Sequence, residues 1–102
     1  MSKIEEYKQL MKVINNADII EDNRFSVINE TLIDYTKFET ADNDYYVITI
    51  YTAKEVYNAS YSEELRDSFN DDNIIDYYCF NNKTDCDDKY IELVTYYLNS
   101  LA

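Results

Sequence analysis

"DYYVITIYT", residues Asp44 to Thr52, is an unbroken run of aromatic and β-branched side chains between two polar ends. Such residues fit a pleated, buried surface, so the run predicts a strand. Alternation places Tyr46, Ile48 and Ile50 on one face and Tyr45, Val47 and Tyr51 on the other. With both faces apolar, the strand belongs at the centre of a sheet. Working outward, "FSVI" (25–28) and "TLIDYTKF" (31–38) read as strands on either side of the polar break Asn29-Glu30. "ETADND" (39–44) then closes an antiparallel hairpin whose tip carries Glu39, Asp42 and Asp44. Downstream, "YSEELRDSFN" (61–70) predicts a short helix begun at Ser60 or Ser62, and "NIIDYYCF" (73–80) a further strand.

Helices are expected at both ends of the chain. Ile4, Tyr7, Leu10, Met11 and Ile14 recur at helical spacing, and Ser2 with Glu5 forms a capping-box pattern. Asn15-Asn16 would end this helix, because asparagine enters the left-handed region more easily than other residues and the chain has no glycine. Asn70, Asn81-Asn82 and Asn99 mark ends or turns by the same reasoning. At the other end Tyr90, Ile91, Val94, Tyr97, Leu98 and Leu101 form an apolar stripe, with Thr84 or Asp85 available as the cap. The expected fold is a single α+β domain over residues 1–102. Helices at about 3 to 15 and 86 to 100 pack on one face of a small, mainly antiparallel sheet.

Charge is the unusual part of the composition. Twenty-one acidic against nine basic residues give a formal net charge of −12, enough for a negative potential over much of the surface. That argues against nucleic acid and anionic membranes as partners. A codon bias toward Asn, Ile, Tyr and Lys accounts for much of the composition, but it would raise lysine with asparagine. Seven lysines stand beside 11 asparagines and 12 aspartates, so the acidity needs another cause. The densest stretch, Asn70 to Leu93, holds Asp71, Asp72, Asp76, Asp85, Asp87, Asp88 and Glu92 against two lysines. Acids at a helix start also have a purely structural use, since they complement the helix dipole.

Absences exclude most chemistry. No histidine means no common general base or metal ligand, and no glycine means no phosphate-cradling loop of the usual kind. The aspartate-dense run fails the calcium-loop spacing: counting back from Glu92 puts Lys83 and Lys89 at ligand positions and Cys86 where glycine belongs. Cys79 and Cys86 lack the company of a zinc site and read as reduced thiols. No catalytic residue, metal or cofactor is expected. The opening is not a signal peptide and no apolar run approaches the ~20 residues of a membrane span, so a cytoplasmic protein is expected. The other signal is tyrosine, 12 of 102 residues, a side chain favoured in binding hot spots. Tyr45 and Tyr77 should be displayed or cover a second layer, and Tyr96, off the apolar stripe, should be exposed.

Carboxylates spaced over an exposed face can compete with DNA for basic clefts. Across its whole length, in size and composition, the chain resembles the small acidic phage-encoded inhibitors of host nucleases: anti-CRISPR proteins, anti-restriction DNA mimics and uracil-DNA glycosylase inhibitors. The anti-CRISPR proteins, the most varied in fold, fit best. The resemblance implies a non-enzymatic inhibitor that binds a basic nucleic-acid-binding surface of a CRISPR nuclease complex and blocks target DNA. The residues expected to meet that partner are Asp71, Asp72, Asp76, Asp85, Asp87, Asp88 and Glu92 as phosphate-like charges, with Tyr77 and Tyr96 as contact aromatics. Two alternatives stay open: an immunity protein or antitoxin against a basic nuclease toxin, and a small oligomeric structural protein whose acidity serves solubility.

Overall fold

The computed structural model describes residues 2–14, 19–52 and 74–100. Its elements are α1 (Lys3–Ile14), β1 (Ile19–Ile28), β2 (Thr31–Glu39), β3 (Asp44–Thr52), β4 (Ile74–Phe80) and α2 (Lys83–Asn99). The four strands form one antiparallel sheet in the order β1-β2-β3-β4. The α+β arrangement is therefore as expected, with β3 inside the sheet and hydrogen-bonded on both sides. The helix expected near Ser60, with Glu63, Glu64 and Asp67, lies outside the described residues.

Local signals act as the sequence suggests. At the start of α1 the Glu5 N–H donates to Ser2 Oγ at 3.2 Å and the Glu6 N–H to the Ser2 carbonyl at 3.0 Å, so Ser2 satisfies donors that the first turn leaves unpaired. The break between β1 and β2 is a two-residue turn, with Ile28 opposite Thr31. Its first residue, Asn29, has φ 54°, the left-handed region where a side chain beyond glycine or asparagine costs ~1–2 kcal/mol. Asn29→Gly should therefore hold or slightly raise the melting temperature, and Asn29→Val should lower it through about 1–2 kcal/mol of backbone strain. A thermal melt in which the valine variant matches the wild type would show that the turn does not need that conformation. The β2–β3 loop closes on Thr40, whose N–H and hydroxyl both donate to the Asn43 carbonyl, at 2.9 and 2.8 Å.

The two helices lie on opposite faces of the sheet, not on one. Below α2 are Ile28, Ile33, Tyr35, Tyr46, Ile48 and Ile50 from the strands and Cys86 and Leu93 from the helix, with Tyr78, Phe80, Tyr90, Val94 and Tyr97 packed around them. On the other face Tyr7 of α1 meets the Tyr77 ring edge-on, 5.7 Å between centroids, and lines a cavity of about 70 Å³ with Leu32, Thr36, Val47 and Thr49. Strand alternation explains the split. Val47, Thr49 and Tyr77 are on the opposite parity from Ile48, Ile50 and Tyr78, and a strand apolar on both faces needs a cover for each.

Helix α2 is also turned differently from the expected stripe. It begins at Asn82, whose side-chain oxygen accepts from the Asp85 N–H, one turn before the expected start. Cys86 and Leu93 are its buried residues, whereas Ile91 and Leu98 are exposed. The inward row is Cys86, Tyr90, Leu93 and Tyr97, at i, i+4, i+7 and i+11, rotated by roughly 60° from the expected one at ~100° per residue.

Candidate partner-binding face

The seven acids of Asn70–Leu93 have different surroundings. Asp71 and Asp72 lie outside the described residues. Asp87 points back into the fold: Lys83 donates to its Oδ2, while the Tyr35 hydroxyl and Arg24 donate to Oδ1 at 2.8 and 3.0 Å. The Arg24 guanidinium lies over the Tyr35 ring, 4.2 Å from its centroid. Tyr35 meets the Tyr90 ring edge-on, and the Tyr90 hydroxyl shares a 2.6 Å hydrogen bond with Ser26. Lys83 foremost, then the Tyr35 hydroxyl, and the Arg24 charge hold the Asp87 carboxyl below the ordinary carboxylate value, against some burial. Burial and the bond to Asp87 push the Tyr35 hydroxyl well up. Asp87 is thus the pin that fastens α2 to β1 and β2.

Asp76 is engaged too. Burial opposes its charge, yet the Tyr77 N–H, the Tyr78 hydroxyl and Lys3, at 2.9, 3.0 and 3.2 Å, hold its carboxyl below the ordinary value. Lys3 belongs to α1, so this contact reaches around the β4 edge from the opposite face. Tyr77 is not displayed. It forms the second layer under α1, and its hydroxyl reaches Glu6 at 3.5 Å.

The remaining candidates make a surface. Asp85, Asp88, Glu92 and Tyr96 are all exposed, and their spacing of three, four and four residues puts them within ~80° of arc on the outer side of α2. Asp85, Asp88 and Glu92 are about 4.5 and 6 Å apart along the helix axis, against ~3.4 Å between charges on one strand of DNA. The Asn82 amide braces Asp85 at 2.9 Å, and Lys89 donates to Glu92 at 3.2 Å.

Beside this row a groove of about 300 Å³ opens between α2 and the β3–β4 edge, lined by Ile50, Asp76, Tyr78, Lys89, Glu92, Leu93, Tyr96 and Tyr97. It brings together Asp76, Glu92 and Tyr96 of the expected residues and adds Tyr78, Lys89, Leu93 and Tyr97, which the sequence reading did not assign to a binding face. The row Cys86-Tyr90-Leu93-Tyr97 is the signal that would have found Leu93 and Tyr97.

Both cysteines are free thiols. Cys86 is buried, which pushes its pKa up to about 12. Among the described residues no group of His, Cys, Asp or Glu is placed to hold a metal ion, and no helix is long and apolar enough to cross a membrane. Comparison with known protein families, with characterised proteins and with solved structures finds no match.

Proposed function

We propose that this protein is a non-catalytic inhibitor that occupies a basic, nucleic-acid-binding surface of a partner protein, in the manner of a phage anti-CRISPR protein acting on a CRISPR nuclease complex in the host cytoplasm. The observation that carries this reading is the exposed row Asp85-Asp88-Glu92-Tyr96 on α2, in a chain of net charge −12. Three carboxylates in one exposed row, on a helix and ending in an exposed aromatic, offer a basic cleft both charge and a stacking surface. Complementary fields of this kind raise association rates by roughly 10- to 1,000-fold and lose that gain as salt screens them.

The test is displacement of a labelled DNA duplex from a CRISPR nuclease complex, followed by fluorescence anisotropy at ~50 and ~200 mM salt, between which the Debye length falls by about half. Wild-type protein should displace the duplex at low salt and lose potency steeply at high salt. The triple variant D85N, D88N, E92Q should keep its fold and lose roughly ten- to a hundredfold in potency at low salt, with a flatter salt response, because rim charges act mainly on the association rate. Full potency in the triple variant, or displacement indifferent to salt, would sink the charge-based mechanism.

A further inference from the structure

We infer that the groove between α2 and the β3–β4 edge receives an arginine side chain from the partner protein. The inference deepens the reading of the partner as basic and rests on it. Ile50 and Leu93 are its buried apolar lining, Tyr78, Tyr96 and Tyr97 its aromatic lining, and Asp76 and Glu92 add two carboxylates, the first half-buried and the second exposed. The volume, about 300 Å³, is at the low end of small-ligand sites, too small for an extended segment and enough for one long side chain.

The groove already shows how it treats a cation. Lys89 of α2 places its ammonium 4.6 Å from the centre of the Tyr78 ring and 3.2 Å from Glu92 Oε1. A positive group stacked on a tyrosine face and paired with a carboxylate is the arrangement in which cation–π attraction and ion pairing add. At the open end Tyr96 is 65 % exposed, and its ring meets Tyr97 edge-on at 5.2 Å. An incoming cation therefore finds a second aromatic face beside the same glutamate.

The chemistry selects the occupant. An anion would meet two carboxylates against the one ammonium of Lys89, and an apolar side chain would strip water from Glu92, of which Lys89 engages only Oε1, without adding a partner. Lys89 fills the position suited to an ammonium. A guanidinium differs: it is planar and weakly hydrated, stacks on aromatic rings, and grips a carboxylate through two parallel N–H bonds. Glu92 and Tyr96 are thus its two principal contacts, and Asp76, held by Lys3 and Tyr78, supplies fixed negative potential behind them.

The test needs no partner protein. The full-length, isotope-labelled chain is titrated at low salt with N-acetyl-arginine amide, N-acetyl-lysine amide and N-acetyl-norleucine amide, and backbone amide shifts are followed. Saturable shifts are expected at Tyr78, Leu93 and Tyr96 with the arginine probe, at an affinity at least about threefold above the lysine probe. E92Q and Y96A, both at exposed side chains, should each weaken arginine binding roughly three- to tenfold, the range of one exposed cation–π or ion-pair contact. D85N lies outside the groove and should change it less than about twofold, since a single screened charge acts weakly at that distance. Equal response to the lysine or norleucine probe, or arginine binding unaffected by E92Q and Y96A, would overturn the inference. Because D85N belongs to the triple variant used against DNA displacement but not to the groove, failure of the groove and failure of the inhibitor reading give different patterns.

Discussion

Leu93→Ala should lower the unfolding free energy by about 2–5 kcal/mol, while Leu98→Ala, five residues further along the same helix, should cost under about 1 kcal/mol. Leu93 is 8 % exposed and Leu98 53 %. Removing the first leaves a cavity against Ile48 and Ile50 that the sheet cannot collapse to fill, whereas the second already faces water. Denaturant midpoints of the two variants, measured with unchanged slope, read the difference directly. A larger loss at Leu98 than at Leu93 would mean that α2 sits on the sheet with the phase expected from the sequence, and the rotation described above would be wrong.

The second large contrast sets adjacent aspartates against each other. Asp87→Ala should cost about 1–3 kcal/mol, because it takes from the wholly buried Tyr35 its carboxylate acceptor and from Arg24 and Lys83 the charge they share. The carboxylate keeps some contact with solvent, which limits the loss. Asp88→Ala, on the exposed face, should stay within about ±0.5 kcal/mol. Asp87 also acts through pH. Its carboxyl titrates below its unfolded value, so its stabilisation is complete above that value and disappears as pH falls through the folded one. Wild-type stability should therefore drop below about pH 4, while that of Asp87→Ala falls less steeply there. Parallel acid limbs in the two proteins would remove Asp87 from its role as the pin.

The contrast also shows what the sequence could and could not reveal. Strand β3 was legible because nine consecutive residues favour one conformation, and α1 because Ser2 and Glu5 mark its start. The Asn29-Glu30 break was legible as an interruption, in a chain where asparagine must do the work of glycine. Facing was harder. Two helices and a two-sided strand suit either one shared layer or two opposite layers, and only the pairing of Tyr7 with Tyr77 decides between them. The phase of α2 depends on Cys86, a small residue that counts little in a hydrophobic pattern yet is completely buried. Once that phase is known, Asp87 turns inward and Asp88 outward, and the single acidic run divides into a structural pair, Asp76 and Asp87, and a displayed row. Nothing in the one-dimensional spacing of "DCDDKYIE" makes that division.

The bond between Arg24 and Asp87 joins residues 63 positions apart, while β1, β2 and β3 follow one another through turns of two and four residues. Closing a long loop costs more chain entropy than closing a hairpin, and its reward arrives only when the far partners meet. The three-stranded meander can therefore assemble first, with α2 settling over Tyr35 and Ile48 after the rate-limiting barrier. If so, weakening the Asp87 pin quickens escape from the native state and leaves the speed of reaching it almost untouched. The protein would then hold its shape over time through the last contacts it makes, and the helix that carries its acidic row would be the first part to let go.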